Sequence, residues 1–171
     1  QNKEWDLIPT HWTKAVQIGR RWMAWNGIDF RKKGRIECLL VNGSGGNPSD
    51  QTLIEFFQTN REHIKFATQV VPRNKDTRIF CRVSGLLTFA MMHKINPEKA
   101  QEFAVRMVSG GSIKGKNCPS QVARKGMINT ENTQCRSAFV DEFRKLLYCA
   151  KQYLAGKKVQ RVRSINKLRG V

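Results

Sequence analysis

The run Asn96-Pro97-Glu98-Lys99-Ala100-Gln101-Glu102-Phe103-Ala104-Val105-Arg106-Met107-Val108-Ser109-Gly110-Gly111 carries a full set of helix punctuation. Asn96 is a capping side chain and Pro97 suits the first helical position, where its missing N–H costs nothing. Glu98 complements the positive end of the helix dipole. Ala100, Phe103, Ala104, Met107 and Val108 then recur at i, i+3, i+4, i+7 and i+8, which places them on one face, and Gly110-Gly111 closes the element.

Working outward, the same period recurs on both sides. Upstream, Asp76 and Thr77 are capping candidates for the most apolar helix of the chain. Its wide buried face is Ile79, Phe80, Val83, Leu86, Leu87, Ala90 and Met91, which puts it at the centre of the core. Pro48-Ser49 opens a helix with Leu53, Ile54 and Phe57 as its buried edge. A break near Asn60 leads to a second helix, carrying Ile64, Ala67, Val70 and Val71, that Pro72 stops. Thr10–Trp25 reads as the first helix, ended by Asn26-Gly27. Ile28–Val41 reads either as a small hairpin turning at Lys33-Gly34 or as an irregular link, and Asn42–Asn47 is a loop. Downstream, Pro119–Met127 is a short helix. A long one follows over about Arg136–Ala155, with Phe139, Val140, Phe143, Leu146, Leu147, Ala150, Tyr153 and Leu154 inward and Gly156 as terminator. Six or seven helices with no sustained strand alternation make an all-α domain.

Composition bounds what such a domain does. The chain has 171 residues, 31 Lys and Arg against 13 Asp and Glu, and a formal charge of +18. At 40% hydrophobic it holds enough apolar mass for a core, and one domain of ordinary size is expected. Its longest strongly apolar stretch, Gly85–Met92, falls far short of the roughly 20 residues that span a bilayer, and no apolar signal segment opens the chain. Membrane insertion and secretion are therefore not expected. Gln1 in place of Met suggests a trimmed chain or a fragment of something longer. The five cysteines (Cys38, Cys81, Cys118, Cys135, Cys149) are widely spaced without a C-x-x-C pair, and His11, His63 and His93 are equally scattered. They read as reduced thiols of a cytoplasmic protein, several packed as small hydrophobes, and no metal or other cofactor is expected.

So large a positive surplus repels itself unless a polyanion neutralises it, and nucleic acid is the expected partner. Acidic lipid calls for an amphipathic basic helix with apolar anchors or for a lipidation signal, and neither is evident. The charge is concentrated in runs free of acids. Arg31-Lys32-Lys33-Gly34-Arg35 places four cations in five residues, around a glycine that suggests a turn. Between Glu102 and Glu131 lie Arg106, Lys114, Lys116, Arg124 and Lys125. The segment Lys151–Val171 adds Lys151, Lys157, Lys158, Arg161, Arg163, Lys167 and Arg169, and its hydrophobic periodicity dissolves after Gly156. It reads as an extended arm, or as a helix that forms on phosphate.

Other motifs say less. Gly110–Asn117 nearly spells the phosphate-binding loop G-x-x-x-x-G-K-[ST], but Asn117 replaces the hydroxyl residue and a helix precedes the loop where a strand is required. A basic loop touching phosphates through Lys114 and Lys116 fits better. A helix-turn-helix across Ser120–Phe143 has its small residue and glycine, Ala123 and Gly126, three apart instead of four, and its second helix spends a face on Phe139, Phe143 and Leu147. Trp12 and Trp22 sit on the apolar face of the first helix, while Trp5 and Trp25 are freer to stack on unpaired bases. Glu98 and Glu102 share a helix face, and dipole compensation accounts for them. No carboxylate pair is placed for acid–base work.

Several blocks, taken in order, resemble the region C-terminal to the ParB-like nuclease domain in proteins of phages and other mobile elements. They are Asn47-Pro48-Ser49 through Leu53-Ile54-Glu55-Phe56-Phe57, Lys94-Ile95-Asn96-Pro97-Glu98-Lys99-Ala100 with Phe103, Val108-Ser109-Gly110-Gly111 with Cys118-Pro119-Ser120, and Tyr153-Leu154-Ala155-Gly156-Lys157-Lys158-Val159. The likeness covers about residues 47–163. The leucine-arginine that usually follows the proline segment stands here as Ala123-Arg124, and the glycine-and-arginine signature of the ParB-like domain has no counterpart in these residues. The resemblance implies a helical, DNA-associated module of a mobile-element protein and carries over no catalytic residue.

The sequence thus predicts a helical domain over 1–156 followed by a basic arm over 157–171. It binds nucleic acid, DNA first and RNA second, through Arg31, Lys32, Lys33 and Arg35, through Lys114, Lys116, Arg124 and Lys125, and through Lys157, Lys158, Arg161, Arg163, Lys167 and Arg169. Two alternatives stand beside it: a non-catalytic part of a ParB-like nuclease or other phosphotransfer enzyme, and a basic assembly protein that binds RNA or an acidic protein. Self-association is compatible with either.

Overall fold

The computed structural model describes residues 9–27, 50–110, 117–129 and 136–171, with side chains over 11–26, 54–110, 117–129 and 139–171. The described residues form seven α-helices, one 3-10 turn and no strand, an all-α architecture. None of these helices is long and apolar enough to cross a membrane. Ile28–Val41 and its hairpin alternative lie outside the described residues. The chain divides into two compact units, Gln1–Lys65 and Phe66–Val171. The basic segment after Gly156 belongs to the second.

In the first unit, α1 spans Pro9–Gly27 and α2 spans Asp50–Thr59, and α3 (Arg61–Gln69) begins there. Proline occupies the first turn of α1, and the helix begins one residue before the expected Thr10. Ala15, Ile18, Trp22 and Ile64 are fully buried. Trp22 meets Phe56 edge-on at 5.8 Å, and a Cβ on Gly19 would fall 2.2 Å from the Phe57 ring, so only glycine admits that ring. These contacts use the second half of α2. Ile54, expected inside, lies a turn earlier and is exposed. Asn60 ends α2 as anticipated; its buried amide donates to the Phe56 carbonyl at 3.0 Å. Trp25, expected to be free, is buried.

The second unit is built on α4 (Val83–Ile95), in which every residue from Ser84 to His93 is buried. α5 (Pro97–Ser109), α6 (Pro119–Asn129) and α7 (Arg136–Leu154) complete a cycle in which α4 packs on α5 and α7, and α6 packs on the same two helices. Phe89, Phe103 and Tyr153 link α4, α5 and α7 edge to face at 6.2 and 5.2 Å. α5 follows its sequence signals: the Asn96 side chain accepts from the Lys99 amide at 3.1 Å, and Gly110 ends the helix at φ 62°. α4 departs from them, for it starts at Val83 and not after Asp76-Thr77. The Thr77 hydroxyl instead serves a local turn, donating to the Pro72 carbonyl, while Asn74 accepts from the Asp76 and Thr77 amides at 2.9 and 3.0 Å. The chain makes one 3-10 turn, Arg78–Cys81, and Arg82 in extended conformation restarts it as α4.

Candidate nucleic-acid interface

Charge is unevenly divided between the units. Residues 66–171 hold 21 Lys and Arg against six Asp and Glu, a net +15 of the chain's +18. Beyond Glu142 there are nine basic residues and no acid.

The terminal segment is non-helical, with bends at 160–161 and 166, and it is stitched to the helices. Gly156, at φ 68°, turns the chain out of α7, and the Lys157 amide donates back to the Gln152 carbonyl at 2.9 Å. The Val159 amide then donates to the carbonyl of Asn117, just before α6, at 2.8 Å, and the Ile165 amide donates to that of Arg144 on α7 at 3.2 Å. Val159 and Leu168 are 2% and 5% exposed, so both side chains lie in the core. Val159 and Leu168 are thus its anchors, and a strap is a better description than an arm. Its cations face the other way. Lys157, Lys158, Arg161, Arg163, Lys167 and Arg169 are all exposed.

Of the other predicted contacts, Arg31, Lys32, Lys33, Arg35, Lys114 and Lys116 lie outside the described residues. Arg124 proves to have internal work. Its guanidinium donates to the Met107 carbonyl at 2.7 Å and to that of Val108, capping the C-terminus of α5, and it lies 5.0 Å above the Phe80 ring. Lys125, its neighbour on α6, is exposed.

Lys125 stands at the edge of a half-open cavity of about 630 Å³ between α6, α7 and the strap. The walls are mostly apolar, with Val122 and Ala123 from α6, Leu146 and Cys149 from α7 and Val162 from the strap. Asn129, Asp141, Glu142 and Lys145 supply a polar side. Nothing in the sequence announced this cavity, because it forms where three separate segments meet.

Glu142, in the second turn of α7, is 6% exposed. It accepts from Arg82 at 2.9 Å and from the Ser84 hydroxyl, and Arg82 also donates to the Met127 carbonyl at 3.3 Å, so one carboxylate ties the starts of α4 and α7 together. Burial pushes the Cys149 thiol up to about 12 from 9.0, which keeps it protonated and poorly nucleophilic at neutral pH. Burial also pushes Tyr153 up to about 12; its hydroxyl donates to Glu102 at 3.0 Å, which raises it further, against the nearby Arg106 guanidinium. Among the described residues no three of His, Cys, Asp and Glu are grouped to hold a metal ion. Comparison with protein-family models, curated proteins and solved structures finds no match to this chain.

Proposed function

We propose that residues 66–171 form a nucleic-acid-binding module that grips the phosphate backbone, DNA in the first instance, through the strap. The observation that carries this reading is a non-helical segment anchored in the core by Val159 and Leu168, on which six cations stay exposed with no acid among them. Pre-ordering matters because a docked segment loses less conformational entropy on binding than a free tail does. The resemblance to the region that follows ParB-like nuclease domains in phage and mobile-element proteins supports DNA as the polyanion. Among the described residues Cys81, Cys118 and Cys149 are free thiols, which is consistent with action in the cytoplasm.

The test is titration of labelled duplex and single-stranded DNA over a salt series, with a lane containing divalent metal to detect cleavage. Engagement of about six phosphates gives a log–log salt slope near −5 on duplex and near −4 on single strand. Absence of binding at low salt, or binding indifferent to salt, overturns the reading. Stronger competition by structured RNA or by an acidic protein than by DNA moves it to the assembly role, and metal-dependent cleavage moves it to the enzymatic one.

A further inference from the structure

The cavity and the strap share a residue. Val162 forms part of the cavity wall, and its chain neighbours Arg161 and Arg163 are exposed. As chain neighbours they have Cα atoms about 3.8 Å to either side of it. A group lodged in the cavity and bonded to a phosphate therefore places that phosphate within reach of the two arginines.

The lining selects the group. At about 630 Å³ the cavity has the size of a small-molecule site. Its walls suit a flat apolar surface. Most of the charge in its lining is already paired, Lys145 with Asp141 and Glu142 with Arg82, each at 2.9 Å, so the inside is not a cluster of open cations built for an anionic head. Together with Asn129 the lining side chains offer both donors and acceptors, and each carboxylate oxygen accepts more than one hydrogen bond, so the bonds Glu142 receives from Arg82 and Ser84 leave it acceptor capacity. That is the chemistry of a neutral heterocycle with amino and ring-nitrogen groups. We infer that the cavity takes the base of a nucleotide whose phosphate lies on Arg161 and Arg163. The nucleotide is either free or the unpaired unit of a strand. The second form rests on the binding role proposed above, and makes the module selective for single-stranded or locally opened nucleic acid.

Gly126 gives the test its control. It lines the cavity, a Cβ there meets nothing within 4 Å, and Leu favours the helix over Gly, so Gly126→Leu adds bulk at the cavity lining in a protein that is expected still to fold. The full chain is titrated with a short deoxyadenosine strand, with a fully abasic strand of equal length and with adenosine monophosphate. The expected result is about tenfold tighter binding of the base-bearing strand, equivalent to about 1.4 kcal/mol. In Gly126→Leu this preference disappears while the salt slope is retained. Equal affinity for the two strands with normal salt dependence removes the base site and leaves the phosphate-binding module standing, as does a preference that survives in Gly126→Leu. If neither strand binds, the module reading falls. Saturable binding of adenosine monophosphate, lost in Gly126→Leu, then still supports the cavity as a site for free nucleotide, and its absence overturns that too.

Discussion

Replacing Lys157, Lys158, Arg161, Arg163, Lys167 and Arg169 together by Gln removes the exposed charge of the strap while leaving both of its anchors in the core. If each cation neutralises one phosphate, the log–log salt slope falls by about 5 on duplex and about 4 on single strand. Stability moves far less. Exposed side chains away from specific contacts contribute within about 0.5 kcal/mol, and relief of self-repulsion in so basic a unit acts in the stabilising direction. Truncation at Gly156 does not give this separation, because it also strips out Val159 and Leu168. The companion variant is Leu168→Ala, for which a buried-leucine loss of about 2–3 kcal/mol is expected. That cost is borne locally, as opening of the strap, so it is read by hydrogen exchange at the Val159 and Ile165 amides, which donate to Asn117 and Arg144. The assay is fluorescence anisotropy at several salt concentrations alongside thermal melting. A six-site variant that keeps its salt slope to within one unit refutes the strap as the phosphate-contacting surface. One that melts far below the parent refutes the division between outward charge and inward anchor.

Glu142→Gln leaves Arg82 without its buried counter-charge and is expected to cost about 3 kcal/mol in chemical denaturation, with the double change Arg82→Met, Glu142→Leu recovering most of it; a loss below about 1 kcal/mol contradicts a buried structural pair. Arg124→Gln removes the cap on α5 and lowers stability by about 1–2 kcal/mol without altering the salt slope, whereas a changed slope at constant stability returns Arg124 to the interface. Asn96→Ala costs about 1 kcal/mol and Asn96→Asp much less, since the aspartate still accepts from the Lys99 amide; equal losses in the two discount the cap. Because the folded chain holds the Cys149 proton to about 12 and the unfolded chain releases it at about 9.0, its contribution is full below pH 9 and lost as pH climbs toward 12. At most about 4 kcal/mol is involved. The parent should therefore lose stability relative to Cys149→Ala over that window, and parallel pH curves exclude the effect.

What could be read in advance depended on range. α5 was legible to the residue because cap, proline, acid and terminal glycine act within a turn or two of the backbone they serve. The start of α4 was misplaced by a competition of equally short range: Thr77 was a plausible cap, but Asn74 and the Pro72 carbonyl claimed its hydroxyl first. Trp25 and Arg124 were misread for another reason. A tryptophan near a helix end and an arginine in an acid-free run both have ordinary solvent roles, and nothing nearby in the chain reveals the distant partners that draw them inward.

The chain by itself determined its helices, the central place of α4, the surplus of positive charge and its accumulation toward the end, because composition and local periodicity carry these. Only the tertiary structure decided which cations remain available, that the terminal segment is a docked strap, and that a cavity opens beside it. Each of those depends on residues far apart in the chain, such as Arg82 and Glu142 at a separation of 60 positions, and no local signal records which distant partner a side chain will meet.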